Sequence, residues 1–212
     1  MPRLEWGTAG QRFYETGVDQ GVLYVGSNPG VPWMGLISVS ENPSGGDPRP
    51  LYIDGIKYLN LSSAEEYEAS ITALSAPPEF APCDGAVAIQ NGLYATQQPR
   101  ASFGFSYRTM IGNDVEGSDF GLKLHIVYNA LAAPPQRASS TIDDSVDPLR
   151  LTWSITTMAP AITGYRPTAH MVVDSRYADG EALSALEDIL YGDSSHTARL
   201  PLPDEIIALF TP

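Results

Sequence analysis

Apolar and polar positions alternate with period two through much of the chain, and the alternation predicts strands separated by turn residues. Short stretches at 21–25 and 35–40 fit it. Residues 51–61 (LYIDGIKYLNL) carry apolar runs on both sides of Asp54-Gly55, a pair that accepts positive φ at both centres of a type I′ turn, so a β-hairpin is expected there. At 66–74, Tyr67, Ala69, Ile71 and Ala73 alternate with Glu68, Ser70 and Thr72, which predicts a strand with one wet face. Ser62 with Glu65, and Ser63 with Glu66, also have the spacing of helix capping boxes.

Phe103, Phe105 and Tyr107 share one face of a further strand, and after an acidic loop at 112–121, Leu122, Leu124, Ile126 and Tyr128 share a face of the next. These two are expected to pair. Leu151, Trp153 and Ile155, and then Ala169, Met171 and Val173, alternate with polar neighbours in the same way. Helical spacing occurs at 180–191, where Leu183, Leu186, Ile189 and Leu190 fall on one face, Asp179 can cap the start and Gly192 can stop the end. A short helical turn is expected at 203–210, and Pro-rich loops at 42–50 and 77–82.

Composition narrows the fold class. The 212 residues are 43% hydrophobic, enough to bury a core, and a single domain over 1–212 is expected. Nineteen Gly and eighteen Pro favour turns and strands over a helical bundle. Twenty-five acids against twelve Lys and Arg give a net charge of -13, with no basic cluster of the kind that neutralises phosphates, so tight nucleic-acid binding is disfavoured. Cys83 is the only cysteine, which excludes an intrachain disulfide and every C-x-x-C metal pattern. The N-terminus has no apolar signal region, and no apolar run approaches a membrane span, so synthesis in the cytoplasm and no membrane partner are expected.

Motifs of chemistry fail one by one. Gly104-Phe105-Ser106-Tyr107-Arg108 has Arg where a nucleophile elbow needs Gly. Asp119-Phe120-Gly121 lacks the accompanying kinase loops, and Asp114, Glu116 and Asp119 lack EF-hand spacing, so a solvated hairpin loop is the expected reading. His125, His170 and His196 show no paired ligand spacing; the first two are expected on sheet surfaces. Asp143-Asp144 reads as a turn. The expectation is a chain with no catalytic residue, no cofactor and no metal, that is, a structural or binding protein. As a binding module it would use Trp33, Trp153 or loop tyrosines against carbohydrate or peptide.

A resemblance spans nearly the whole chain. It is densest in YETGVDQGVLY (14–24), LYIDGIKYLNLSSAEEY (51–67), PPEFAPCDG (77–85) and FGFSYRTMIGNDVEGSDFGLKLHIVYNALAAP (103–134). It continues through LTWSITT (151–157), GYRPTAHMVVDS (164–175), LEDILYG (186–192) and LPLPDEIIALF (200–210). In these segments the chain resembles the major tail protein, or tail tube protein, of long-tailed, non-contractile bacteriophages of the actinobacteriophage type. The resemblance implies a mainly β fold, an antiparallel β-sandwich or partly closed barrel with one flanking α-helix. It also implies a virion protein assembled as hexameric rings stacked into a tube around a tape-measure protein. Tail terminator and distal tail proteins would be further partners, and duplex DNA would pass through the lumen at genome ejection. An added immunoglobulin-like C-terminal domain, present in some relatives, is not expected.

Physics adds two expectations to that picture. Open sheet edges can be completed by neighbouring copies, and the 42–50 loop is expected to clamp adjacent rings. An acidic lumen would repel a polyanion and let it slide; some of Glu65, Glu66, Glu68, Asp114, Glu116 and Asp119 are expected to face it.

Overall fold

A computed structural model describes residues 3–139, 141 and 148–211; the expected turn at Asp143-Asp144 lies outside them. The chain begins with β1 (Phe13–Tyr24), β2 (Val31–Pro32), β3 (Leu36–Glu41) and β4 (Ser44–Gly45). Next come β5 (Pro48–Ile53), β6 (Ile56–Ser62), β7 (Glu65–Glu66) and β8 (Glu68–Ala73), then β9 (Val87–Gln90) and β10 (Leu93–Ala95). The longest strands, β11 (Phe103–Asn113) and β12 (Gly117–Ala132), are followed by β13 (Leu151–Thr157), β14 (His170–Asp174), α1 (Gly180–Tyr191) and α2 (Pro203–Leu209). The fold is mainly β and antiparallel, as expected, with a second short helix beside the flanking one.

One sheet runs in the order β2-β1-β11-β12-β13-β8-β3, with β14 also paired to β12. A single edge of β12 serves two neighbours: Lys123–Val127 pair with β14, and Ala130–Ala132 pair with β13. Between them β12 carries one extra residue relative to β11, since Phe103 and Phe105 oppose Ala130 and Val127. Asn129 sits there at φ 47, a conformation Asn tolerates, and the bulge bends the strand from one layer to the other. The sheet curls until its end strands approach: a Cβ built on Gly21 of β1 would lie 3.1 Å from Leu36 Cδ2 of β3. No ladder joins β1 to β3, so the barrel is not closed.

Two apolar layers result. Inside the curl, Phe103, Phe105, Tyr107 and Val127 pack against Ile71, Trp153 and Ile155, with Trp33 and Phe80 filling the end. Phe80 stands edge-on to Trp153 and Phe103 at 5.1 and 5.2 Å, the favoured aromatic geometry. The Pro-rich 77–82 stretch is a corner around a short 3-10 turn, Pro78–Phe80, which sends Phe80 into the core while Pro78, Glu79 and Pro82 stay exposed. On the outer face Leu124, Ile126 and Tyr128 receive Leu186 and Leu190 of α1 and Ile206 of α2. Gly104 permits this approach, because a Cβ there would meet Leu200 Cδ2 at 2.3 Å. Asp179 caps α1 by accepting from the Glu181 and Ala182 amides at 3.0 Å each, and Gly192 ends it at φ 82, both as expected.

β1 is longer than its period-two signal because it carries two bulges. Thr16, Asp19 and Val22 oppose Met110, Arg108 and Ser106, three residues against two each time. Gly17 and Gln20 take positive φ at these points and break the alternation.

Candidate functional site

The feature that the fold leaves incomplete is the β5–β6 hairpin. It forms a two-stranded sheet apart from the main one, and every residue in both strands is exposed. Its turn is the expected one, with Asp54 at φ 54 and Gly55 at φ 77. Directly opposed residues share a face, and the register pairs Arg49 with Leu61, Leu51 with Leu59 and Ile53 with Ile56. One face is thus an aliphatic stripe with Arg49 at its edge. The stripe is in water: Ile56 is 71% exposed and Leu61 59%. An isolated two-stranded hairpin is marginal on its own, and a contiguous wet apolar stripe marks an interaction surface.

The 42–50 stretch, expected as a free clamp loop, is instead the stem of this hairpin. Ser44 and Gly45 of β4 pair with Glu66 and Glu65 of β7, and Pro48 to Pro50 already belong to β5. The Ser62 hydroxyl donates to the Gly46 carbonyl at 2.9 Å, and the Ser44 hydroxyl to Glu68 Oε1 at 2.9 Å. A second exposed hairpin, β9–β10, shows Val87, Ile89, Leu93 and Tyr94 to solvent. Its signal in the chain is the Asn91-Gly92 turn pair, which lies beyond the short apolar run before it. Backbone edges are open as well. β2 covers only Val22 and Leu23 of β1, which leaves the outer side of residues 13–20 without a ladder among the described residues.

The six acids expected at a lumen fall into two groups. Glu65 and Glu66 are exposed at the hairpin stem, with Glu68 next to them. Asp114 and Glu116 form the β11–β12 turn, and Asp119 is exposed just after it. Asp114 accepts from the Gly10 amide at 2.9 Å and lies 3.7 Å from Arg12. The 112–121 loop is shorter than expected, since Asn113 and Gly117 already pair. Among the described residues, seven Lys and Arg side chains stand in ion pairs with acids.

Both tryptophans proposed as ligand platforms are in the core: Trp33 is 3% exposed and Trp153 1%. Their indole N–H groups donate to the Ser75 carbonyl and to Asp84 Oδ1, each at 2.9 Å. Ser106 is fully buried, its hydroxyl 3.2 Å from the Tyr24 hydroxyl. A shallow cleft of about 390 Å³ opens beside Tyr24, Asn28, Ser102, Asn129 and Arg199, and Arg199 is paired with Glu205.

The histidines depart from expectation. His196 is exposed beside Asp193, but His125 is only 6% exposed, and the curl of the sheet brings it to His170, Nδ1 to Nε2 at 3.1 Å. Glu41 Oε1 lies 3.6 Å from the same His125 nitrogen and 3.8 Å from that of His170. Tyr107 stacks on His125 at 4.5 Å and its hydroxyl donates to Glu41 Oε1 at 2.8 Å, while Tyr67 covers His170 at 4.4 Å. Burial lowers the pKa of both imidazoles, against the pull of Glu41, so they are neutral near pH 7. Burial also opposes charge on Glu15 next to His125, but hydrogen bonds from Lys123 and Thr109 hold its pKa below the ordinary value. Three strands contribute, and nothing in the local spacing of Glu41, His125 and His170 announces the meeting.

No protein-family model matches the chain, and no curated protein matches it in sequence. Among solved structures, a chain of the anti-feeding prophage baseplate, determined by cryo-EM with six-fold symmetrisation, aligns at a TM-score of 0.40 with 11% identity, covering 80% of this chain and 97% of that one. A chain of the PVC sheath-tube complex, an extracellular contractile injection system in its extended state, aligns at 0.35 with 13% identity over 81% and 94%. Hcp1 from Flavobacterium johnsoniae aligns at 0.33 with 10% identity over 74% and 100%. Likenesses at these scores are distant, and a role for this chain has to come from its own surface.

Proposed function

We propose that the protein is a structural subunit of a phage tail tube, a single tail tube domain that polymerises with copies of itself. The observation that carries the reading is the β5–β6 hairpin, whose aliphatic face is exposed and needs a second surface to bury it. Open backbone at the edge of β1 supplies a further place for a neighbouring copy to add. The resemblance of the sequence to tail tube proteins agrees with both.

In this reading the copies close into hexameric rings, and the rings stack into a tube around a tape-measure protein, ending against terminator and distal tail proteins. Head-to-tail contacts that close give a ring, and stacking extends it without limit. The β5–β6 hairpin takes the role of inter-ring arm that the 42–50 loop was expected to fill. The chain's net charge of -13, with most cations already paired, suits a conduit that duplex DNA crosses without tight binding. Glu65, Glu66, Glu68, Asp114, Glu116 and Asp119 supply the candidates for its wall. The protein would be made in the host cytoplasm and would act in the virion.

Negative-stain electron microscopy of the purified chain at high concentration tests the reading. Rings with six-fold symmetry or tubes are expected. A monomer that persists at every concentration and salt would remove it.

A further inference from the structure

We propose that Glu41, His125 and His170 form a binding site for a divalent transition cation of the zinc class, independent of the assembly reading. The three donor atoms lie 3.1, 3.6 and 3.8 Å from one another. Ligands at 2.0–2.1 Å around a tetrahedral zinc ion are separated by about 3.3 Å, so a small swing of the side chains accommodates the ion. Two imidazoles and a carboxylate are a donor set suited to zinc.

The surroundings prepare the donors. Thr109 spends its hydroxyl proton on Glu15 Oε1 at 2.6 Å, so at the 3.1 Å contact between Thr109 Oγ1 and His125 Nε2 the imidazole must be the donor. With its proton on Nε2, His125 presents a lone pair at Nδ1, which accepts from His170 Nε2–H when no cation is bound; a cation binds as His170 moves that proton to its other ring nitrogen. A histidine ligand whose other nitrogen donates toward a hydroxyl and carboxylate is the arrangement that orients metal-binding imidazoles. Tyr107 holds the Glu41 carboxylate by its hydrogen bond. The Tyr67 hydroxyl is buried with no hydrogen-bond partner among the described residues, and its ring covers His170.

The ligands come from the end strand β3 and from β12 and β14. A cation would tie the end strand β3 of the curled sheet to its middle strands β12 and β14. Its role is structural: it fastens the curl of the sheet.

Full-length protein stripped with a chelator is titrated with Zn²⁺ against a chromogenic competitor, and with Co²⁺ while the visible spectrum is recorded. One Zn²⁺ per chain, a tetrahedral Co²⁺ spectrum and a rise in melting temperature of about 5 °C at a hundredfold excess over Kd are expected. Affinity should fall at least about tenfold in Glu41→Gln and in His170→Gln, as loss of a ligand requires, and stay unchanged in His196→Gln. If His170→Gln fails to fold by circular dichroism, Glu41→Gln decides, since the Glu41 side chain is exposed enough to tolerate the change. No stoichiometric binding, or binding undiminished by Glu41→Gln, would mean that the imidazoles form a hydrogen-bonded pair only, and the proposal would be wrong.

Discussion

Asp84 shows how much a single side chain can hold. It follows the buried Cys83, accepts the Trp153 indole N–H, lies 3.5 Å from Arg100 and pairs with Arg137. Burial and the Asp84 charge raise the Cys83 thiol to about 11, so it stays protonated. In PPEFAPCDG the aspartate reads as a turn residue. Removing it leaves the Trp153 indole donor without its acceptor and takes the counter-charge from Arg100, which keeps its hydrogen bonds to the Cys83 and Ala132 carbonyls, so Asp84→Ala should cost about 1–3 kcal/mol in a urea denaturation series. A change within about 0.5 kcal/mol, the range of ordinary surface substitutions, would show that water replaces the carboxylate freely. The same scale explains the histidine error. His125 alternates with Leu124 and Ile126 and so faces away from the helices; it is buried nonetheless, because the curl of the sheet makes the opposite face an interior too.

Elements separate what is local from what is not. The β5–β6 hairpin, the β11–β12 pair and α1 were all legible, because turn chemistry, alternation and capping are encoded within a few residues. The first eight residues of β1 were not, since two bulges reset the alternation that would have revealed them. Nor did the β5–β6 pattern say that its apolar face stays wet; an aliphatic stripe looks the same whether it faces a core or a partner. That difference gives the sharpest element-scale test. Leu51→Asp with Leu59→Asp changes an opposed, exposed pair, so the melting temperature of the monomer should move by no more than about 2 °C, consistent with a surface substitution. Polymerisation should be lost, read by sedimentation of assembled material. Tubes formed at the wild-type concentration by the double variant would remove the hairpin from the interface.

At the scale of the whole molecule, charge and topology set the terms of association. Copies each carrying -13 repel one another, so assembly should proceed at lower protein concentration when salt is raised from about 10 mM to about 150 mM, as the screening length falls from about 30 to about 8 Å. Light scattering across a salt series checks this, and a critical concentration that rises with salt would point to attractive ion pairs at the interface. The sequence by itself determined the β class, the flanking helix, the acidic balance and the clearest hairpin, because alternation, caps and net charge are properties of neighbouring residues. Only the tertiary structure decided that Trp33 and Trp153 are core, that the Pro-rich stretches are a corner anchored by Phe80 and a hairpin stem, and that Glu41, His125 and His170 converge. Those outcomes depend on the register between distant strands and on bulges that bend them, and such long-range geometry leaves no periodic trace along the chain.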